Sequence, residues 1–141
     1  MKIDTIAFVE ALAAEMNAHP ERYHILGHAD MVGTMVVQRA GGDFRARVTF
    51  AELRCDGVDE VEAGEPTDWS LVGPLDAWHE MFDDVLANGR ATGLQTINSL
   101  ALLGDRIELV GDDPMGLDKF SRFNQTLQAF LDGAARLAVS A

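Results

Sequence analysis

The sequence predicts a single domain that mixes helices with a sheet built in part on an antiparallel hairpin. Three observations carry this reading. Residues 31–38 and 44–50 have strand character on either side of Gly41, Gly42 and Asp43, a glycine turn too short for a parallel crossover. Apolar residues recur at helical spacing near both ends of the chain, at Ile6, Val9, Ala13 and Met16 and again at Leu117, Phe120, Phe123, Leu127, Phe130 and Leu131. The 141 residues suffice for one core and are too few for two ordinary domains.

In chain order, Asp4 stands where the first helix needs an N-cap, with Glu10 and Glu15 expected on its wet side. Pro20 ends that helix and opens a short helical piece over 20–26, which Gly27 terminates. Within 31–38 both alternating sets, Met31/Gly33/Met35/Val37 and Val32/Thr34/Val36, are mostly apolar or small, as in a strand covered on both faces. Within 44–50, Phe44, Ala46, Val48 and Phe50 alternate with Arg45, Arg47 and Thr49, so one face is wet. Residues 56–68 hold Asp59, Glu60, Glu62 and Glu65 among Gly57, Gly64 and Pro66; they predict a surface loop with a short edge strand over 58–61.

Trp69, Leu71 and Val72 resume a strand that Gly73-Pro74 stops. Leu75, Trp78, Phe82, Val85 and Leu86 then form the stripe of a helix ended by Asn88-Gly89. Leu94, Ile97, Leu100, Ala101 and Leu103 predict a further helix, with Thr92 as its cap and Gly104 as its stop. Gly104-Asp105 turns the chain into a short strand at Ile107, Leu109 and Val110, which Gly111, Asp112, Asp113 and Pro114 break before the last helix.

Composition excludes several classes of function. Hydrophobic residues make up 48% and charged residues 24%, as in globular domains. No apolar run reaches membrane-spanning length, and acidic residues interrupt the N-terminal stretch where a secretion signal needs its apolar core. A cytoplasmic protein without stable membrane insertion is therefore expected. Eleven basic against 23 acidic residues leave a formal charge of -12, which repels phosphate backbones, and no nucleic-acid partner is expected. The single cysteine, Cys55, has no internal disulfide partner and reads as a strand-end hydrophobe rather than a nucleophile.

The polar candidates are more easily read as structure than as chemistry. His24 and His28 have the i, i+4 spacing of a metal-binding helix, with Asp30 nearby, but Gly27 interrupts the helix and no metal is expected. His79 can meet Asp76 or Asp83 at helical spacing, as an ion pair in preference to a catalytic base. Asp112 and Asp113, between a strand and Pro114, suit turn formation and helix-start electrostatics better than acid-base work. Asn124-Gln125-Thr126 matches a glycosylation acceptor by letter only, since it lies on a predicted helix.

Three stretches together resemble the sterol carrier protein type 2 family. They are WSLVGPLDAW (69–78), a strand, Gly-Pro break and helix with an early tryptophan; IELVGD (107–112); and MGLDK (115–119), a last strand running through Gly-Asp into a Gly-Leu segment. The helix-first order and the hairpin agree. This resemblance implies an α+β domain with a curved, mainly antiparallel sheet of about five strands, helices on one face and an apolar tunnel between them. Such domains bind sterols, fatty acids or fatty acyl-CoA. Basic residues that would welcome a CoA phosphate are sparse here, which favours a neutral apolar ligand.

On that reading the tunnel is lined by Met35, Val37, Phe44, Val48, Phe50, Trp78, Phe82, Leu100, Ile107, Phe120, Phe123 and Leu127, residues that equally suit an ordinary core. Met31, Met35, Met81 and Met115 can let a pocket adapt to irregular shapes. The expected function is binding or carriage of a hydrophobic small molecule, sterol-like or fatty-acyl, with no cofactor and no catalytic residue. The last helix serves as a lid. Two alternatives stand beside it: a small cofactor-free isomerase in which His79 or an aspartate moves a proton, and an interaction module that forms a homodimer through its last helix.

Overall fold

The computed structural model describes residues 2–137. In chain order the elements are α1 (Ile6–Ala18), α2 (Glu21–His24), β1 (Met31–Gln38), β2 (Phe44–Ala51), β3 (Arg54–Glu60), β4 (Trp69–Pro74), α3 (Leu75–Asn88), α4 (Ile97–Leu103), β5 (Glu108–Val110) and α5 (Pro114–Asp132). Single 3-10 turns, Gly93–Gln95 and Gly133–Arg136, precede α4 and follow α5.

The five strands form one sheet in the order β3-β2-β1-β4-β5. Three pairings are antiparallel, and the fourth, between the central strand β1 and β4, is parallel. A parallel pair needs a crossover, and the chain supplies one by running through β2, β3 and the 61–68 segment before it returns beside β1. β1 is buried on both faces, as its double apolar pattern requires: Gly33, Met35 and Val37 lie on the helix side, and Thr34 and Val36 on the other, where Arg47 and Arg45 are their cross-strand partners. β2 alternates strictly, with Phe44, Ala46, Val48 and Phe50 turned inward.

Helices cover the inner face and their aromatic rings lock the layers. Phe8 of α1 meets Phe82 of α3 edge-on at 5.1 Å, and Phe50 of β2 meets Phe130 of α5 edge-on at 5.1 Å. Trp69 opens β4 and sits edge-on to Phe120 at 5.3 Å. Trp78 is fully buried and donates its indole N–H to the Val36 carbonyl at 3.1 Å. Each large side chain buried in this way contributes roughly 1.5–3 kcal/mol.

Several local expectations are corrected by tertiary contacts. The cap of α1 is Thr5, whose hydroxyl accepts the Phe8 N–H, while the Asp4 carboxylate pairs with Arg39 at 3.2 Å. Glu15 is only 12% exposed, because Arg22 and Arg136 converge on it. α4 is capped by Thr96, not Thr92: a 3-10 turn intervenes, and the Thr92 hydroxyl is held by the Asp84 carboxylate at 2.9 Å. Leu94 and Leu103 consequently fall outside the buried stripe, at 68% and 57% exposure, leaving Ile97 and Leu100 as its buried members.

The edge strand β3 begins at Arg54, earlier than the acidic composition suggests. The reason is Asn17 of α1, whose side-chain amide accepts the Cys55 N–H and donates to the Cys55 carbonyl, both at 2.9 Å. It satisfies that stretch of backbone as a neighbouring strand would. At the start of α5, Asp113 accepts the Met115 N–H at 3.0 Å and Pro114 follows at the first turn.

Candidate ligand cavity

Between the sheet and the helices lies an enclosed apolar cavity of about 20 Å³. Its sheet wall consists of Gly33 and Met35 of β1, Val48 of β2, and Trp69 and Leu71 of β4. Val9 and Leu12 of α1, Trp78 of α3, and Leu127, Phe130 and Leu131 of α5 close it from the helix side. The inward set on each strand follows from the period of two, and the α5 set from the i, i+3, i+4 spacing. A space of this size holds about one water-sized sphere, whereas small-molecule sites run to roughly 300–1,000 Å³. The tunnel implied by the sequence resemblance is therefore closed in this structure.

Its cover is α5, which is not one continuous helix. Phe123, at φ -115° and ψ 16°, breaks the helical geometry and separates 114–122 from 124–132. The second half carries the three cavity residues and is fastened at its far end. Asp132 accepts the Ala91 N–H at 3.0 Å and the Gln128 side-chain N–H at 2.8 Å, and Gln128 in turn accepts the Ile97 N–H at 2.6 Å. Burial pushes the Asp132 carboxyl above the usual aspartate range, against the opposing pull of those donors and of Arg136. Just beyond the helix, Arg136 pairs with Glu15 of α1. Burial pushes the Glu15 carboxyl up, but Arg136, Arg22 and His19 together hold it below its ordinary value.

Of the residues expected to line a tunnel, Met35, Val48, Trp78 and Leu127 are in the cavity wall. Val37, Phe44, Phe50, Phe82, Leu100, Ile107 and Phe120 are buried in the surrounding core but do not reach the wall. Phe123 is only half-buried, at the break in α5, with the Arg122 guanidinium 5.4 Å from its ring centroid. Sequence reasoning missed Val9, Leu12, Gly33, Trp69, Leu71, Phe130 and Leu131 as wall residues. Phe130 and Leu131 were within reach, since they share the apolar stripe of α5 with Leu127.

The polar candidates stand away from this space. Arg106 takes the Asp76 carboxylate at 3.4 Å and that of Glu80 at 3.1 Å, and among the described residues no ion pair joins His79 to Asp76 or Asp83. His24 is in α2 and His28 beyond it, separated by Gly27 at φ 84°. Among the described residues no group of three His, Cys, Asp or Glu side chains is placed to hold a metal ion. Burial pushes the Cys55 thiol up to about 11, which leaves it protonated and unreactive near neutral pH. Hollows of about 390 Å³ and 400 Å³ beside Pro20 and Leu53 are larger than the cavity but are open surface grooves.

The sequence matches no protein-family model and no curated protein. The architecture does resemble solved structures. A crystal structure of sterol carrier protein 2 superimposes over 97% of this chain and 100% of its own, with a TM-score of 0.72 at 16% identity. The fold is that of sterol carrier protein 2. A solution structure of a conserved hypothetical protein from Thermus thermophilus, assigned provisionally as a sterol carrier protein, covers 99% of this chain and 92% of its own, with a TM-score of 0.66 at 19% identity. In this sterol-carrier fold the cavity described above occupies the seam between the sheet and its helical cover.

Proposed function

We propose that the chain is a cytoplasmic binding or carrier protein for a hydrophobic small molecule, sterol-like or fatty-acyl, taken up between sheet and helices. The observation that carries this reading is the cavity itself. It is apolar, enclosed, and covered by a half-helix that breaks from the rest of α5 at Phe123. Uptake needs that half-helix to move outward, since the resting space is far smaller than any lipid. The sterol-carrier fold and the sequence resemblance in 69–78 and 107–119 support the same ligand class.

No titratable side chain lines the cavity among the described residues, which supports carriage over proton transfer. The apolar stripe of α5 is used up inside the core, at Phe120, Leu127, Phe130 and Leu131, which argues against dimerisation through that face. No helix is long and apolar enough to cross a membrane among the described residues.

Titration with an environment-sensitive apolar dye tests the site. Leu127→Trp enlarges a wall residue on the cover and is expected to weaken dye binding at least tenfold while the far-UV circular dichroism keeps its native form. Unchanged affinity in a folded variant would move the site elsewhere.

A further inference from the structure

We infer that Trp69 is the polar anchor of the cavity, and that the ligand it suits is an apolar molecule carrying a non-ionised carbonyl, such as a ketone or an ester. This rests on the reading of the cavity as a ligand site. The other lining side chains are hydrocarbon, thioether or glycine, so the nitrogens carried by lining side chains are those of the two indoles. That of Trp78 is engaged by the Val36 carbonyl. The Nε1 of Trp69 is buried and has no hydrogen-bond partner, in a residue only 2% exposed.

The ring is not free to turn away and find one. It lies against Gly33, where an added Cβ would stand 2.1 Å from Cη2 and 2.2 Å from Cζ2, and it meets Phe120 edge-on at 5.3 Å. A buried donor held without an acceptor is unusual in folded proteins, and the group that removes the penalty is one bearing an acceptor.

The kind of acceptor follows from what the wall lacks. A carboxylate would bring its full charge into an apolar space with one neutral donor to meet it, and Lys119, which pairs with Trp69's chain neighbour Asp68 at 3.6 Å, is already engaged there. An alcohol could accept from the indole, but its own hydrogen would find no acceptor side chain in the wall stronger than the Met35 thioether. A ketone or ester oxygen accepts and brings no donor of its own. The match is therefore with a carbonyl compound rather than a free fatty acid or a sterol alcohol.

A chain-matched series of probes separates the possibilities: hexadecane, hexadecanol, palmitic acid and methyl palmitate. Binding is followed at neutral pH on the intact protein by the indole N–H resonances, of which the two tryptophans give two. Trp69→Phe assigns its own by deletion. Methyl palmitate is expected to bind about fivefold more tightly than hexadecane, and to move the Trp69 resonance downfield where hexadecane does not. In Trp69→Phe the ratio of the two affinities should fall to about one, whatever the change in hexadecane binding itself. Binding of all four probes without a shift of the Trp69 resonance would overturn the anchor and leave the cavity reading intact, and tighter binding of palmitic acid than of its ester would overturn the ligand class. Binding of none of them would overturn the cavity reading and the anchor together.

Discussion

Gly33 and Trp69 occupy adjoining space that a single methyl group would overfill. They are register partners across the parallel β1–β4 pair, and the indole reaches over the glycine where any Cβ would collide with three ring carbons. Gly33→Ala is expected to displace the ring and destabilise the fold by about 1–3 kcal/mol, as overpacking does. Gly41→Ala, in the hairpin turn where an added Cβ meets nothing within 4 Å, is the control and should be near neutral. Urea unfolding of both variants measures the difference; equal midpoints would mean that the indole relocates freely. Neither role was legible in the sequence. Gly33 reads as one small residue in a buried strand and Trp69 as a strand start, and no local pattern says that two positions so far apart in the chain lie side by side. Asn17 is a second case, since only the fold brings its amide to the backbone of Cys55.

At the scale of elements, the second half of α5 is held by two carboxylates whose titrations oppose one another. Glu15 is held below its ordinary value of 4.5 in the folded chain, so its contribution is present above that value and is lost as pH falls through the folded pKa. Glu15→Gln is expected to cost about 1–3 kcal/mol near neutral pH, with the deficit shrinking below pH 4.5, as pH-dependent urea unfolding would report. A deficit that does not vary with pH would show that shape, not charge, fastens the turn. Asp132 has the opposite sign. Its carboxyl is raised above 3.8, so the folded chain holds the proton more tightly than the unfolded one and this group withdraws stability as pH rises through that range. Asp132→Asn, which keeps an acceptor for the Ala91 N–H, should flatten the decline; an unchanged profile would remove Asp132 as its source. The stripe of α5 was legible because its apolar spacing survives into the structure, whereas that of α4 was legible only at Ile97 and Leu100. The break at Phe123 was not, since that residue fits the stripe by spacing and departs from it only in backbone angle.

For the whole molecule, the hairpin, the double burial of β1 and the strand-to-helix step at Gly73-Pro74 followed from local chemistry alone. Gly73 also has a tertiary role that spacing does not reveal: a Cβ there would stand 2.8 Å from the Arg106 carbonyl. The strand order and the parallel β1–β4 pair come from long-range packing, as does the choice of which core residues border the cavity. That is why Met35, Val48, Trp78 and Leu127 reach the wall while equally apolar neighbours such as Phe44 and Ile107 fill the surrounding core. Native mass spectrometry of the protein purified without detergent and then incubated with the neutral and acidic lipid probes tests the central claim most directly. The account predicts a one-to-one complex with a hydrophobic molecule, either retained from the host and recovered in an organic extract or formed on incubation. A mass that stays bare with every probe would contradict it.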